Sequence, residues 1–164
     1  MSVIAIGADH AGFALKQIIA AHLRDDEHEI LDCGADSDDR VDYPDYGSAV
    51  AFAIKDGRAE KGILVCGSGI GIVMAAGKIS GIRAATVHDV TTARMCKEHN
   101  DANVIGIGAR MVGEQTALDI VDAYMKASFQ GGRHQGRIDK LTQLENARER
   151  AVYGHAVNSR ESRR

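Results

Sequence analysis

The sequence has little of what marks membrane, secreted or fibrous proteins. Its 164 residues include one proline, no tryptophan and 4% aromatic residues. No apolar run approaches the roughly 18 residues that a membrane span needs. The segment from Met1 to Gly7 is apolar from the start, without the positive leader or cleavage site of a signal peptide, and so predicts a strand. We expect an aliphatic core and no membrane segment.

Strong charge and a cysteine framework are also missing. The net charge is −3 and the isoelectric point is near 6.1. No overall basic field or aromatic motif would therefore recruit nucleic acid, and any anion site must be local. Cys33, Cys66 and Cys96 lack the number and spacing of a disulfide or zinc framework. We expect a cytoplasmic protein with no metal and no cofactor. The histidines that show no metal-ligand spacing are His22, His28, His88 and His155.

Short apolar runs alternate with helical patterns along the chain. The runs predict strands at residues 3–8, 29–31, 62–65, 83–87 and 104–107. The segments between and after them predict helices at residues 13–23, 45–55, 70–78, 90–99 and 114–128. Because right-handed helical crossovers join parallel strands, this pattern predicts an α/β fold, a doubly wound, Rossmann-like five-stranded parallel sheet with helices on both faces. Ligands of such a sheet bind beyond the carboxyl ends of its strands.

The end of the chain differs in composition from the rest. After Gly131-Gly132, a charged segment predicts a final helix from Arg133 to Arg150. The length fits a single domain over residues 1–150. Residues 151–164 form a polar C-terminal tail, and we interpret this tail as a flexible, solvated terminus.

A glycine-rich loop follows the third predicted strand. It has the sequence Cys66-Gly67-Ser68-Gly69-Ile70-Gly71. Its glycines let backbone amides turn toward a bound oxygen just as a helix begins, which indicates an anion or oxyanion pocket. A thiol that faces such donors suits a base or a nucleophile. The alternative is a structural cysteine before a tight turn.

Three commoner uses of such a loop are excluded by named residues. A dinucleotide-binding loop needs glycine, and a cysteine-phosphatase loop needs arginine, where Ile72 stands. A nucleoside-triphosphate loop needs Gly-Lys-Ser/Thr, which is missing here.

Other polar residues lie at positions that suit a ligand site. Asp9 and His10 lie at the carboxyl end of the first strand, on the side of the sheet where ligands bind. His99 is a candidate acid/base group, since imidazole exchanges protons near neutral pH, although it could simply cap and solvate the end of its helix. Arg133 and Arg137 are four residues apart on one helix face, and two guanidinium groups suit a phosphate. A solvated charged helix is the alternative.

Five segments in a fixed order carry a resemblance to a known family. They are Gly7-Ala8-Asp9-His10-Ala11-Gly12-Phe13, Asp42-Tyr43-Pro44-Asp45-Tyr46, Cys66-Gly67-Ser68-Gly69-Ile70-Gly71, His99-Asn100-Asp101-Ala102-Asn103-Val104 and Gly131-Gly132-Arg133-His134-Gln135-Gly136-Arg137. The chain resembles the type B ribose-5-phosphate isomerases, within the ribose/galactose-6-phosphate isomerase family, from about residue 2 to residue 145.

This resemblance implies a sugar-phosphate isomerase domain and a metal-free reaction. Ribose 5-phosphate and ribulose 5-phosphate would interconvert through an enediolate, as in the pentose phosphate pathway. Cys66 would act as the base, Ser68 with the loop amides would hold the oxyanion, and His99 would open the furanose ring. The resemblance also implies a homodimer, or a dimer of dimers, with each site shared between chains. The implied substrate-binding residues are Asp9, His10, Tyr43, Gly67, Gly69, Gly71, Asn100, Arg110, Arg133 and Arg137, of which His10, Arg133 and Arg137 would bind the phosphate.

Some relatives lack the cysteine and use a glutamate on the turn after the loop. Here that turn carries Ile70, Ile72 and Val73, which leaves Cys66 as the base. The sequence leaves other functions open: an isomerase of six-carbon phosphates such as allose 6-phosphate or galactose 6-phosphate, a hydrolase that uses Cys66 and His99, or a non-catalytic phosphosugar-binding module.

Overall fold

The structure, a computed structural model, describes residues 1–145. The predicted tail at 151–164, and the predicted helix beyond residue 145, lie outside the described residues. The strands are β1 (Val3–Ala8), β2 (Glu29–Asp32), β3 (Lys61–Cys66), β4 (Ala84–Thr86) and β5 (Val104–Gly108). The helices that alternate with them are α1 (Phe13–Asp25), α2 (Tyr43–Lys55), α3 (Ile70–Ala76), α4 (Val90–Asn100) and α5 (Glu114–Lys126).

All strand pairs in the sheet are parallel, and the strand order is β2-β1-β3-β5-β4. The structure therefore confirms the predicted doubly wound α/β sheet. The chain reverses its direction across the sheet on both sides of β3, between β1 and β3 and between β3 and β5. Because ligands bind at such switch points, the loops after β1, β3 and β5 surround the expected site.

Helices cover both faces of the sheet because the crossovers run in two directions. The apolar cluster on one face includes residues of α1, α4 and α5, and the cluster on the other includes residues of α2 and α3. In β3, Ile63 and Val65 belong to the first cluster, whereas Leu64 and Cys66 belong to the second, as the two-residue period of a strand requires. The Cys66 side chain therefore lies on the α2 and α3 face.

Several predicted boundaries differ from the structure by one to three residues. Helix α2 begins at Tyr43, before the predicted start, because Pro44 fits the first turn of a helix. Helix α3 ends at Ala76 instead of residue 78, and Gly77 caps it. Strand β4 has three residues where five were predicted.

The chain divides into two compact units, residues 1–130 and the residues from Gly131 onward. The first unit contains the whole sheet. In the second, a 3₁₀ turn covers Gly132–His134, and residues 135–145 are α-helical, so the predicted final helix begins two residues later than expected. Left-handed φ angles of 61° at Gly131 and 53° at Gly132 favour glycine there. Within residues 1–145, no helix combines the length and the apolar character that crossing a membrane requires.

Candidate active site

A cavity of about 590 Å³ opens at the carboxyl ends of β1, β3 and β5. This volume lies within the roughly 300–1,000 Å³ of small-molecule sites. Ala11, Ile70 and Met111 line it without having been predicted as site residues. The predicted site residues that it brings together are Asp9, His10, Tyr43, Cys66, Gly67, Ser68, Gly71 and Arg110.

Cys66, the last residue of β3, is one of the residues that line the cavity. The residue is only 4% exposed, and the Gly69 amide donates a hydrogen bond to its sulfur over 3.1 Å. An amide donor suits a thiolate, the form of cysteine that acts as a base. The loop can turn back onto the sulfur because Gly69 has a φ of 77°. A Cβ there would lie 2.9 Å from the Gly108 nitrogen of β5, so both backbone conformation and space require glycine.

Ser68 lies beside Cys66 in the cavity wall. Its hydroxyl oxygen accepts a hydrogen bond from the Ile70 amide over 3.3 Å. A hydroxyl that accepts from the backbone can still donate its own proton to another acceptor. Ser68 is therefore suited to donate to an oxygen of a bound ligand.

The turn between β1 and α1 supplies the acidic side of the cavity. Asp9 is buried, and its Oδ1 accepts hydrogen bonds from the amides of Ala11 at 3.0 Å and Gly12 at 3.1 Å. A Cβ on Gly12 would lie 2.3 Å from the Val65 carbonyl oxygen, so only glycine lets this turn approach β3. The same close contact brings Asp9 next to the end of β3, where Cys66 lies.

His10 is oriented by the loop that precedes α2. Its Nδ1 lies 3.3 Å from both the amide nitrogen and the carbonyl oxygen of Val41. This loop is anchored farther back by the fully buried Lys16, whose ammonium group donates to Asp32 at 2.7 Å and to the Ala35 carbonyl at 2.8 Å. Lys16 thereby fixes the start of the β2–α2 loop to α1, and Val41, farther along the same loop, contacts His10.

Larger side chains from neighbouring segments pack against two glycines of the loop. A Cβ on Gly71 would lie 2.8 Å from the ring of Tyr43, so the tyrosine packs directly on the loop backbone. On the other side, the Arg110 amide donates to the Gly67 carbonyl over 3.1 Å. A Cβ on Gly67 would lie 3.5 Å from the Arg110 guanidinium, so this cationic group lies against the loop.

His99 and Asn100 lie at the other edge of the sheet. They end α4, which starts at the carboxyl edge and returns to the amino edge before β5. Nearby, the Gly62 amide at the start of β3 donates to the Asn103 carbonyl over 2.8 Å. From Gly62 to Cys66 the strand rises by about 13 Å. The structure does not bring His99 or Asn100 to the cavity of their own chain.

The remaining predicted residues are Gly69, Arg133 and Arg137. Gly69 shapes the loop through its contact with Cys66 rather than lining the cavity. The two arginines are exposed residues of the second unit, Arg133 in the 3₁₀ turn and Arg137 in the following helix. Their role in binding phosphate stays a prediction.

The other two cysteines, Cys33 and Cys96, are half-buried. Burial is the main cause that raises the pKa of Cys96, to about 11, and burial also raises the pKa of Cys33. Neither lines the cavity. Among the described residues, one group of possible metal ligands occurs, where atoms of His22, Asp26 and Asp122 lie within 4.8 Å of one another. This group is not part of the cavity either.

Comparisons with known proteins decide the family. The model of the family described as Ribose/Galactose Isomerase matches residues 4–141, which are most of the chain. The chain belongs to the ribose/galactose isomerase family. Among its relatives in this family, ribose-5-phosphate isomerase B of Escherichia coli is 46% identical over 148 residues, which cover 90% of this chain and 99% of the relative.

Solved structures of the isomerase family agree with this assignment. Ribose-5-phosphate isomerase B of Clostridium thermocellum has a TM-score of 0.88 and 48% identity, over 88% of this chain and 98% of that one. The Mycoplasma genitalium ribose-5-phosphate isomerase B, solved with bound ribulose 5-phosphate, has a TM-score of 0.84 and 41% identity, over 88% and 96% of the two chains.

Two residues of this isomerase-family chain contact the Cys66 loop although the sequence did not single them out for it. The Thr86 hydroxyl donates to the Gly69 carbonyl over 3.1 Å, and His88 Nε2 lies 3.1 Å from the Ser68 carbonyl oxygen. Both lie at the carboxyl end of β4. This position in the fold is the signal that could have found them, because polar residues at that edge face the ligand crevice.

Proposed function

We propose that the chain interconverts D-ribose 5-phosphate and D-ribulose 5-phosphate through an enediolate, with Cys66 as the base. The observation that carries the proposal is the cavity that Cys66 lines together with Asp9, Tyr43 and Arg110, with the Cys66 sulfur accepting a hydrogen bond from the Gly69 amide. Membership of the isomerase family, with a relative that binds ribulose 5-phosphate, supports the substrate.

The proton transfer fits Cys66 better than the other basic groups of the cavity. Asp9 is the only carboxylate among the described residues that line it, and one of its oxygens already accepts two amide hydrogen bonds. The thiolate takes the proton from C2 of the open-chain aldose, which leaves an enediolate with its charge on O1. O1 then takes the proton of the O2 hydroxyl, and the thiol returns its proton to C1, which gives the ketose.

The charge that develops on the enediolate needs hydrogen-bond donors. Ser68 supplies one of them in this proposal, together with loop amides other than those of Gly69 and Ile70, which already donate to Cys66 and Ser68. Such donors are typically worth about 3 kcal/mol each in the transition state. Asp9 and Tyr43 contact the sugar hydroxyls. His10 and Arg110, together with Arg133 and Arg137, bind the phosphate.

We propose further that the enzyme is a homodimer whose sites are shared. The furanose ring must open before enolisation, and His99 is the residue proposed for this step. His99 ends α4 at the amino edge of the sheet, whereas Cys66 lies at the carboxyl edge. A site that uses both residues therefore needs His99 and Asn100 from the partner copy.

The proposed compartment is the reducing cytoplasm. Cys33, Cys66 and Cys96 are all free thiols, and the proposed chemistry requires Cys66 to remain one.

The substrate is tested by comparing kcat/KM for ribose 5-phosphate with that for allose 6-phosphate and galactose 6-phosphate. A clear preference for ribose 5-phosphate, with equilibration to ribulose 5-phosphate, supports the proposal. Preference for a six-carbon phosphate would reassign the substrate within the family, and turnover of none of the three would reject the isomerase assignment.

A further inference from the structure

Two consecutive peptide groups of the Cys66 loop are held from both sides. Each has a carbonyl oxygen that accepts a hydrogen bond from the end of β4, and an N–H group that donates to a proposed catalytic side chain. In a planar trans peptide the C=O and N–H bonds point in opposite directions. A donor that fixes the carbonyl therefore also fixes the direction of the N–H.

The first peptide links Ser68 to Gly69. Its carbonyl oxygen lies 3.1 Å from His88 Nε2, and its N–H donates to the Cys66 sulfur over 3.1 Å. Because a carbonyl oxygen can only accept, His88 must carry a proton on Nε2 for this contact to be a hydrogen bond. The three groups form one chain, from the imidazole through the peptide to the sulfur.

The second peptide links Gly69 to Ile70. The Thr86 hydroxyl donates to its carbonyl over 3.1 Å, and its N–H donates to the Ser68 hydroxyl oxygen over 3.3 Å. This chain ends on Ser68 instead of Cys66. It leaves the Ser68 hydroxyl proton available for donation away from the loop.

We propose that His88 and Thr86 are positioning residues of the isomerase, holding the peptides that direct one N–H to the Cys66 sulfur and the next to the Ser68 oxygen. Neither residue lines the cavity, so both act through the loop. Hydrogen bonds in series polarise one another, and a donor on the Ser68 carbonyl strengthens the donation of the Gly69 amide to sulfur. The inference rests on the proposed roles of Cys66 and Ser68.

The two chains predict different effects for their substitutions. His88→Ala removes the donor that supports the bond to sulfur, so both turnover and the reactivity of the Cys66 thiolate change. Thr86→Val keeps the shape of the side chain but removes its hydroxyl, so turnover falls while the sulfur keeps its amide donor. His88→Gln and Thr86→Ser each restore a donor at the same place.

The experiment measures kcat and KM for ribose 5-phosphate, and the pH midpoint at which iodoacetamide alkylates Cys66, read from the Cys66 peptide by mass spectrometry. The titratable groups that line the cavity with Cys66, namely Asp9, His10, Tyr43 and Arg110, are the same in every variant. The control is His22→Ala, which removes a histidine hydrogen bond of 2.7 Å to Asp122, outside the cavity.

For His88→Ala we expect kcat to fall by about 10- to 100-fold, the cost of a small misplacement of reacting groups, with little change in KM. The alkylation midpoint moves to higher pH, and His88→Gln reverses most of both effects. Thr86→Val lowers kcat without moving the alkylation midpoint, and Thr86→Ser restores kcat. The control, His22→Ala, has the kcat and the midpoint of the unsubstituted protein.

The proposal for His88 is overturned if His88→Ala leaves the Cys66 midpoint in place, or if His88→Gln is no better than alanine. The proposal for Thr86 is overturned if Thr86→Val keeps full kcat. Cys66→Ala in the same series separates this inference from the proposed function. Full activity of Cys66→Ala would reject Cys66 as the base. If Cys66→Ala is inactive but His88→Ala leaves the alkylation midpoint unshifted, only the positioning role of His88 is rejected.

Discussion

The amide of Gly69 donates a hydrogen bond to the sulfur of Cys66 over 3.1 Å, and Gly69 itself has a φ of 77°. The turn that places the donor thus depends on a residue that can adopt the left-handed conformation. The same contact therefore serves both the shape of the loop and the proposed chemistry of Cys66. Substitutions can distinguish its effect on stability from its effect on activity.

Substitution of Gly69 by alanine is expected to reduce both stability and activity. The left-handed conformation costs alanine about 1 kcal/mol, and the Cβ would also lie 2.9 Å from backbone atoms of β5. Gly57→Ala is the matched control, because Gly57 has a φ of 72° and nothing within 4 Å of an added Cβ. In urea unfolding we expect a loss of about 3 kcal/mol for Gly69→Ala against about 1 kcal/mol for the control. Equal losses would mean that the contact with β5 is unimportant.

Alkylation is expected to inactivate the enzyme through Cys66 and not through Cys96. Burial raises the pKa of the Cys96 thiol to about 11, so at pH values near 8 very little of it is the reactive thiolate. Sugar phosphate in the cavity should protect Cys66 from iodoacetamide and preserve activity. Peptide mapping after partial inactivation checks this expectation. Inactivation that follows modification of Cys96, with Cys66 intact, would contradict it.

The sequence predicted most of the fold because its alternating apolar runs and helical patterns are local signals. Helix boundaries were less predictable, since the end of α3 at Ala76 depends on a turn at Gly77. The Cys66 loop and the Asp9-His10 turn could be placed together because both follow strands at a switch point. By contrast, His99 and Cys66 stand in separate motifs. Their positions at opposite ends of the strands follow from the parallel pairing of β5 with β3 and β4, because α4 ends just before β5 begins. Contacts through the backbone, such as that of His88 with the Ser68 carbonyl, have no sequence signal beyond their position after β4.

Mixed dimers test whether His99 acts in the partner's site. Cys66→Ala and His99→Asn are each expected to be nearly inactive on ribose 5-phosphate. After the two are refolded together, hybrids with one chain of each contain one site with both residues. Random pairing should restore about a quarter of the unsubstituted activity, since half of the dimers are hybrids with one working site of two.

The control for this mixture is either variant refolded with the double variant Cys66→Ala/His99→Asn, which can form no complete site. Recovery of activity in the test mixture but not in the control supports active sites that are shared between the two chains. If His99 served its own chain, the test mixture would stay as inactive as the control.

The contribution of Asp122 to stability is expected to depend on pH. Burial of Asp122 alone would raise its pKa, but hydrogen bonds from His22 at 2.7 Å and Lys126 at 2.8 Å prevail, and the pKa lies below its ordinary value. A lowered pKa means that the stabilisation is present above the unfolded value of about 4 and is lost as pH falls through the folded value.

Unfolding free energies of the unsubstituted protein and Asp122→Asn should therefore differ near pH 5 and converge at more acidic pH. Asp119→Asn, at an exposed position on the same helix, is the control and should show a smaller, flatter difference. A difference for Asp122→Asn that stays constant into acid would contradict the lowered pKa.

The central claim is that Cys66 moves the proton between C1 and C2. It is tested most directly by incubating ribose 5-phosphate with the enzyme in deuterated water and following isomerisation together with deuterium at the carbon beside the carbonyl. Intact enzyme should isomerise the sugar and incorporate deuterium. Cys66→Ala should lose both by about 100- to 10,000-fold, the usual contribution of a positioned base, while Cys96→Ser retains both. Isomerisation and exchange by Cys66→Ala at the unsubstituted rate would contradict the account.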